Sequence, residues 1–226
     1  MSFAREGYPL VTIGVLLAGL AWVGVAASIG GPWLRGVAAL LSVLSLFTLW
    51  FFRDPTPVLP EDAGAVVAPG HGKVISISEV DEPTFMDDPA RRITIFLSIF
   101  DVHVQRAPVS GLVEHRSYKP GKYLAAWNEK ASADNEQSSI GISTPQGKVL
   151  VRQIAGLIAR RIVSDPSEGD EVAHGTRIGL IRFGSRVDLF IPLDWQLVSS
   201  VGDRVRVGSS VLARPPFPIT LLDAEE

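Results

Sequence analysis

Residues 177–191 read Arg-Ile-Gly-Leu-Ile-Arg-Phe-Gly-Ser-Arg-Val-Asp-Leu-Phe-Ile, with the Gly-Ser step at Gly184 and Ser185. The runs on either side, residues 177–182 and 186–191, are short and rich in Ile, Leu and Val, which is typical of buried strands. A Gly-Ser step between strands predicts a turn, because glycine accepts positive φ and serine bonds to nearby backbone. The stretch therefore predicts two adjacent strands that meet at Ser185.

Similar runs recur through the rest of the chain, bounded by Gly, Pro, Asn or Asp. With 16 prolines and 21 glycines, the composition favours short strands and tight turns over a helical bundle. We expect a polar loop over residues 79–90. The sequence predicts one mostly-β, β-sandwich-like domain, with further strands at residues 65–68, 73–78, 93–100, 111–118, 138–143, 149–154 and 204–213.

Two segments share the frame G-D-x-V-x-x-G, at residues 169–175 and 202–208. In each, an aspartate and two glycines predict a turn between two valine-bearing strands. Such turns recur in the hammerhead of biotinyl- and lipoyl-type β-sandwiches. Neither copy carries the modifiable lysine that those carrier domains need, so the pattern predicts a fold and not a carrier function.

The N-terminal residues predict a membrane anchor over residues 1–54. Residues 7–34 and 36–52 contain no charged side chain. The first stretch is long enough to cross a hydrocarbon core of about 30 Å as a helix, and the second reaches about 25 Å. Gly30, Gly31 and Pro32 separate the two, so a transmembrane helical hairpin is expected, with the N-terminus and residue 53 onward on the same side. One spanning helix followed by one interfacial helix remains an alternative.

Charge and cysteine content narrow the function classes. A net charge of −3 argues against a nucleic-acid-binding surface, and the lack of cysteine excludes thiolate catalysis, Cys-ligated zinc and iron–sulfur clusters. Arg5 and Arg53 lie on one side of the predicted hairpin and Arg35 on the other. This weak positive-inside bias predicts a cell-membrane protein whose domain faces the cytoplasm.

The central stretch also carries a family resemblance. Phe183-Gly184-Ser185-Arg186-Val187-Asp188, preceded by Arg182 and followed by Pro192, resembles the processing site of short, membrane-anchored, pyruvoyl-dependent phosphatidylserine decarboxylases. Other pieces of the chain match that family in the same order: residues 51–55 (Phe-Phe-Arg-Asp-Pro), 100–111 (Phe-Asp-Val-His-Val-Gln-Arg-Ala-Pro-Val-Ser-Gly), 135–136, 153–156, 159–162 and 202–205.

The resemblance implies a self-cleaving enzyme. Residues 55–226 would form the decarboxylase domain, cleaved between Gly184 and Ser185 into chains 1–184 and 185–226 that remain associated. Ser185 would become a pyruvoyl group, the one cofactor expected, with no metal. Its carbonyl would form a Schiff base with the amino group of phosphatidylserine in the membrane, and decarboxylation would give phosphatidylethanolamine. No nucleic-acid partner is expected; the oligomeric state, a homo-oligomer included, stays open.

The same resemblance suggests roles for three polar residues. His103 matches an active-site histidine, and an imidazole with a pKa near neutrality could protonate the carbanion left by CO2; without the family likeness, a structural histidine at a strand end would be preferred. Arg106 replaces the second histidine of larger members and is expected to bind the substrate's phosphate or carboxylate, or else to be a surface charge. Asn135 is expected either to contact substrate or to stabilise its loop.

The main departure from the family is at His71. Residues 68–74 read Ala-Pro-Gly-His-Gly-Lys-Val, where the family usually has an aspartate in place of His71. His71 is therefore the expected base for self-cleavage, and the alternative is a processing-deficient, non-enzymatic, membrane-tethered relative. A zinc peptidase with H-x-x-x-D and H-x-H ligands fits poorly, because Ile75 stands four residues after His71 and Asp101 takes the place of the first histidine of the pair.

Overall fold

The computed structural model describes residues 2–121, 135–156, 162–182 and 184–216. Phe183 and residues 159–161 of the family motifs lie outside these ranges. The chain forms two compact units, residues 1–56 and residues 57–226. Each unit has its own internal contacts and is described separately below.

The first unit is a helical hairpin, as predicted. A 3-10 turn at Arg5–Gly7 leads into α1 (Tyr8–Ala26), and α2 spans Trp33–Phe51. Strand β1 (Ser2–Phe3) pairs antiparallel with β2 (Arg53–Asp54), so the chain enters and leaves the hairpin at the same end. Helix α2 begins before Arg35 and is longer than the charge-free stretch suggested.

Both helices are long and apolar enough to cross a membrane. Most of their large apolar side chains are exposed, among them Leu16, Leu20 and Leu46, which would be costly in water and suits contact with lipid. Between the helices Trp22 donates to the hydroxyl of Ser42 over 3.1 Å. The hairpin is compatible with membrane association.

The second unit consists mainly of antiparallel strands, which confirms the mostly-β prediction. Its strands are β3 (Val66–Val67), β4 (Gly72–Glu82), β5 (Asp88–Leu97), β6 (Val104–Arg106), β7 (Gly111–Lys119), β8 (Gln137–Thr144), β9 (Gly147–Ala155), β10 (Ile162–Ser164), β11 (Glu171–Val172), β12 (Arg177–Ile181), β13 (Ser185–Pro192), β14 (Gln196–Leu197), β15 (Arg204–Val205) and β16 (Val211–Arg214).

Strand β13 lies inside the largest sheet. Among the described residues that sheet has the order β11-β7-β8-β9-β13-β5-β4-β15, and two three-stranded sheets, β10-β12-β6 and β14-β16-β3, complete the unit. The β13 backbone is bonded along its length to β5 and along most of it to β9. Val187, Leu189 and Ile191 point into the main core, so this strand is buried and paired on both edges.

The predicted hammerhead turns are present in two matching copies. Both glycines of each frame have positive φ: Gly169 and Gly175 in one copy, Gly202 and Gly208 in the other. In the first copy Asp170 accepts the backbone N–H of Ser167 at 2.8 Å, and in the second Asp203 accepts that of Ser200 at 2.8 Å. The turn chemistry read from the sequence is thus confirmed in both copies.

A second repeat, not noticed in the sequence, accompanies these turns. Residues 68–74 and 107–113 both read Ala-Pro-x-x-Gly-x-Val. The two copies cross each other with reciprocal bonds: Val67 N–H donates to Pro108 O at 3.0 Å, and Arg106 N–H donates to Pro69 O at 3.1 Å. This local two-fold relation brings the chain around His71 beside the strand that follows His103.

Two predictions of where strands begin and end were wrong. The loop expected over residues 79–90 is much shorter, because β4 runs to Glu82 and β5 begins at Asp88. The strand expected over residues 204–213 is split into β15 and β16 by the glycine turn at Gly208. In both places cross-strand pairing, which local composition does not reveal, decided where the strands end.

The short turn after β4 is held by the carboxylate of Glu82. Its Oε2 accepts the backbone N–H groups of Thr84, Phe85 and Met86 at 3.1, 3.0 and 3.3 Å, and its Oε1 lies 2.7 Å from Nη2 of Arg152. Burial alone raises the pKa of Glu82, but the hydrogen bonds and the positive charge of Arg152 outweigh it and hold the pKa below its ordinary value.

Replacing Glu82 by glutamine should therefore destabilise the domain in a pH-dependent way. At pH 7 we expect a loss of about 2 kcal/mol in the free energy of unfolding, because charge-assisted bonds are replaced by weaker ones. The pKa is lower in the folded state, so the extra stability is present above the ordinary pKa of 4.5 and disappears as the pH falls through the folded value. Denaturant titrations from pH 7 to pH 3, on chains kept whole by Ser185→Ala, would measure the narrowing difference.

The matched control for this measurement is Glu79→Gln, an exposed glutamate on the same strand. It should change the free energy of unfolding by less than about 0.5 kcal/mol. A Glu82→Gln penalty that stays constant over the whole pH range would contradict the role given to the ionised carboxylate.

Candidate active site

The Gly184-Ser185 step lies where β13 begins. Ser185 pairs with Leu97 of β5 and with Ala155 of β9, so its backbone is fixed from both sides. Gly184 has φ +72°, a conformation that disfavours any residue with a Cβ. The side chain of Ser185 is fully buried, and its hydroxyl has no hydrogen-bond partner among the described residues. A buried hydroxyl without a partner is unusual in a folded protein and points to a chemical role.

His103 contacts this step directly. Its Nε2 accepts the backbone N–H of Gly184 at 3.1 Å, and its Nδ1 lies 3.0 Å from the carbonyl oxygen of Asp101. Since a backbone N–H can only donate, Nε2 carries the lone pair and the ring proton is on Nδ1. The ring is buried, and each of its nitrogens lies within hydrogen-bond distance of a backbone atom.

His71 approaches the same region through Asp101. The distance from its Nε2 to Oδ1 of Asp101 is 3.9 Å, and the side chain is partly exposed. The other oxygen of Asp101 accepts the backbone N–H and the hydroxyl of Ser98 at 2.8 and 2.7 Å. Nη1 of Arg204 lies 3.6 Å from Oδ1. Asp101 thus faces His71 with its carboxylate and orients His103 with its main-chain oxygen.

A series of side-chain hydrogen bonds begins at the carbonyl oxygen of His103 and leads away from the Gly184-Ser185 step. Gln105 donates to the carbonyl oxygen of His103 at 2.7 Å, and Gln153 donates to Gln105 at 2.9 Å. Gln153 in turn accepts from Ser164 at 2.6 Å, and the hydroxyl of Ser164 is 2.7 Å from that of Ser138. These bonds connect β6, β8, β9 and β10, so the backbone position of His103 is fixed by the surrounding sheets.

The other two predicted site residues make contacts of a supporting kind. Arg106 follows on β6, and its Nη1 donates to the carbonyl oxygen of Gly175 at 3.1 Å. Asn135 is fully buried and donates to the carbonyl oxygen of Ala155, the pairing partner of Ser185 on β9, at 2.7 Å. Asn135 therefore fixes the end of β9 next to Ser185. The predicted substrate contacts of Arg106 and Asn135 stay predictions.

The structure thus brings Gly184, Ser185 and His103 together and connects His71 to them through Asp101. Asp101, Gln105 and Gln153 all stand in the motifs that carry the family resemblance, but the sequence assigned a role to none of them. Polar residues inside otherwise apolar, buried strands were the available signal. Within the described ranges, no group of three or more His, Asp or Glu side chains is arranged to hold a metal ion.

Comparisons with known proteins show the family of the chain. The profile of the phosphatidylserine decarboxylase family matches residues 44–213. The phosphatidylserine decarboxylase proenzyme of Symbiobacterium thermophilum is 46% identical over 214 residues, covering 94% of this chain and 95% of that protein. The proenzyme of Salinibacter ruber is 47% identical over 209 residues (90% and 89%), and that of Geotalea uraniireducens 43% over 218 residues (94% and 96%). The chain belongs to the phosphatidylserine decarboxylase family.

Proposed function

We propose that this chain is a membrane-bound proenzyme that cuts itself between Gly184 and Ser185 and then decarboxylates phosphatidylserine to phosphatidylethanolamine. Its relatives of 43–47% identity are named as proenzymes of that reaction. The observation that carries the proposal is the buried, unpartnered hydroxyl of Ser185 next to a glycine of positive φ. This arrangement supports a role for the Ser185 hydroxyl as the nucleophile that attacks the preceding peptide bond.

Self-cleavage follows from ordinary acyl chemistry. Ser185 Oγ attacks the carbonyl carbon of Gly184, the C–N bond breaks, and the nitrogen takes up a proton, so that the amide becomes an ester. Loss of the Cα proton of residue 185 and departure of the ester oxygen release chain 1–184 as a carboxylate and leave a dehydroalanine. Addition of water and loss of ammonia then give the pyruvoyl group at residue 185. Glycine has no side chain, so none of its own atoms crowds the carbonyl carbon that Ser185 attacks.

His71 is the proposed base for the first step, in place of the usual family aspartate. One contact supports it: the carboxylate of Asp101, 3.9 Å from Nε2 of His71, can hold the imidazole and stabilise its protonated form. The unpartnered Ser185 hydroxyl then needs only one proton acceptor to become a nucleophile.

Substitutions at His71 should change the rate of cleavage. His71→Ala is expected to slow cleavage about a hundredfold, whereas His71→Asp, which restores the family residue, should keep it. A time course of chain 1–184 on denaturing gels after cell-free synthesis measures both effects; equal rates in all variants would remove His71 from the mechanism.

The residues at the start of β13 fit a pyruvoyl group. Position 185 is fully buried and paired on both edges, so a carbonyl there would be fixed and shielded from water. When present, that carbonyl supplies an electrophile for the substrate's amino group and an acceptor for the electrons released with CO2. Cleavage frees Gly184 to move away from His103, and Nε2, which accepts the Gly184 N–H in the uncleaved chain, becomes available to hold the proton that replaces CO2.

The position of β13 supports lasting association of the two product chains. Strand β13, at the start of chain 185–226, is bonded to β5 and β9 of chain 1–184. Strands β15 and β16 pair with β4 and β3 in the same way. Separation would break all of these ladders at once, so the products should part only when the domain unfolds. The apolar hairpin would keep the domain near its lipid substrate; the cytoplasmic side stays a prediction from Arg5, Arg53 and Arg35.

Intact-mass analysis of the purified wild-type chain tests the proposal. We expect chains 1–184 and 185–226, the second with a ketone that reacts with a hydrazide, eluting together in non-denaturing detergent and apart in denaturant. The same preparation should convert phosphatidylserine in vesicles to phosphatidylethanolamine. Because His71 replaces the usual family aspartate, the alternative is a membrane-tethered relative that no longer cleaves itself. This alternative predicts a single chain of 24.3 kDa without activity. Decarboxylation of phosphatidylserine by an uncut chain would refute the self-cleavage mechanism but would support the proposed substrate.

A further inference from the structure

The turn that covers the scissile step also presents an aromatic ring to solvent. Residues 98–101 form a tight turn, closed by the backbone bond from Asp101 N–H to Ser98 O at 2.9 Å and by the Asp101 carboxylate. Ile99 lies closest to Gly184 within this turn. The next residue, Phe100, is 62% exposed. A turn fixed at both ends therefore holds a large apolar side chain outside the core, next to the reacting bond.

A second turn beside it exposes another apolar side chain together with a cation. Arg204 reaches the carboxylate of Asp101 at 3.6 Å while its side chain remains 76% exposed. Three residues earlier, in the hammerhead turn, Val201 is 60% exposed. Lys73, which is also exposed, pairs with Arg204 across β4 and β15. We call Lys73, Phe100, Val201 and Arg204 the entrance patch.

From this composition we infer that the entrance patch docks onto the surface of an anionic phospholipid bilayer. Aromatic rings prefer the depth of lipid headgroups, and lysine and arginine beside them are attracted by lipid phosphates. Two helices able to span a membrane belong to the same chain, so a bilayer is the large apolar and anionic surface at hand. The inference rests on the proposed function, because docking here would let a lipid headgroup reach residue 185 without leaving the bilayer.

Site-directed spin labelling tests the docking without background, because the chain contains no cysteine. Phe100→Cys and Val201→Cys would each take one nitroxide in the full chain, reconstituted in vesicles of phosphatidylcholine and phosphatidylglycerol. The matched control is Leu112→Cys, an exposed apolar residue on β7, near the other end of the strand order from β4 and β15. We expect at least a fivefold higher ratio of oxygen to nickel-chelate collision rates at 100 and 201 than at 112.

Two results would overturn the inference. One is an equal collision ratio at all three positions. The other is immobilisation of the labels at 100 and 201 that depends on protein concentration and not on lipid, which would mark a protein interface instead.

A kinetic comparison separates this inference from the proposed function. Val201→Asp should lower decarboxylation of phosphatidylserine in vesicles at least tenfold relative to decarboxylation of a dispersed, short-chain phosphatidylserine. An equal loss on both substrates would contradict docking. If the labels at positions 100 and 201 enter the bilayer while the unlabelled wild-type chain decarboxylates neither lipid, the docking would be supported and the proposed function refuted.

Discussion

Ser185→Ala is expected to leave the chain whole and without decarboxylase activity. The hydroxyl is the proposed nucleophile and also the atom that leaves in the elimination, so alanine removes both steps and the pyruvoyl group with them. Activity should fall by at least about a thousandfold, as when a covalent nucleophile is deleted from other enzymes. Intact-mass analysis should find one chain of 24.3 kDa, and a lipid-extract assay should find no phosphatidylethanolamine formed.

Loss of folding would not explain this result. The Ser185 hydroxyl has no hydrogen-bond partner among the described residues, so its removal breaks no contact and takes away a buried polar group. The variant should therefore unfold cooperatively and show the circular dichroism of the wild type. Ser117→Ala, at an exposed serine on β7, serves as the control and should cleave normally. If the Ser185→Ala chain is still cleaved, the scissile bond lies elsewhere and the proposal is wrong.

His103→Ala is expected to separate cleavage from decarboxylation. His103 is proposed to hold the proton that replaces CO2, and loss of a general acid costs about 10²- to 10⁴-fold. Its contact with the scissile step is the backbone N–H of Gly184 and not the Ser185 hydroxyl. One such bond is worth about 1 kcal/mol, so cleavage should slow by about tenfold at most. The variant should thus yield two chains that carry the ketone but decarboxylate very slowly.

His71→Ala is expected to show the opposite pattern, so the two variants together distinguish a defect in cleavage from a defect in decarboxylation. The His71→Ala chain should cleave slowly, and the fraction that has been cleaved should decarboxylate at nearly the normal rate per ketone. His115→Ala, at a histidine of β7 beside Ser117, is the control for both and should change neither rate. If His103→Ala keeps more than about a tenth of the wild-type rate per ketone, His103 is a structural residue.

Much of the fold was predictable because it depends on local patterns. Apolar runs without charge give the two helices, and Val- and Ile-rich runs between turn residues give most of the long strands. The aspartate and glycines of each hammerhead turn act within a few residues, so Gly202 and Asp203 could be interpreted without the rest of the domain. Predictions failed where long-range pairing set the ends, as at Glu82, where a carboxylate holds a turn that composition alone suggests is a long loop.

The sequence predicted which residues belong to the site, but it could not predict how they are arranged. Motif likeness selected Ser185, His103 and His71, but the contact between His71 and Asp101 joins residues thirty positions apart. Neither the orientation of the His103 ring nor the role of Asp101 can be read from spacing, because both depend on which backbone atoms meet the side chains. For the same reason the sequence left Asn135 open between a substrate contact and a loop-stabilising role, and only the structure shows that its amide is bonded to the backbone at the end of β9.

The amino-acid sequence by itself determined the apolar anchor, the β-rich character of the domain, its turns and the family to which it belongs, because these follow from side-chain chemistry over short distances. Only the tertiary structure decided that the Ser185 hydroxyl is buried without a partner and that His103 bonds to Gly184. These facts arise where β13 is paired between β5 and β9, strands that are distant in sequence. Hydrogen-bond ladders between such strands fix atoms that no local pattern can place.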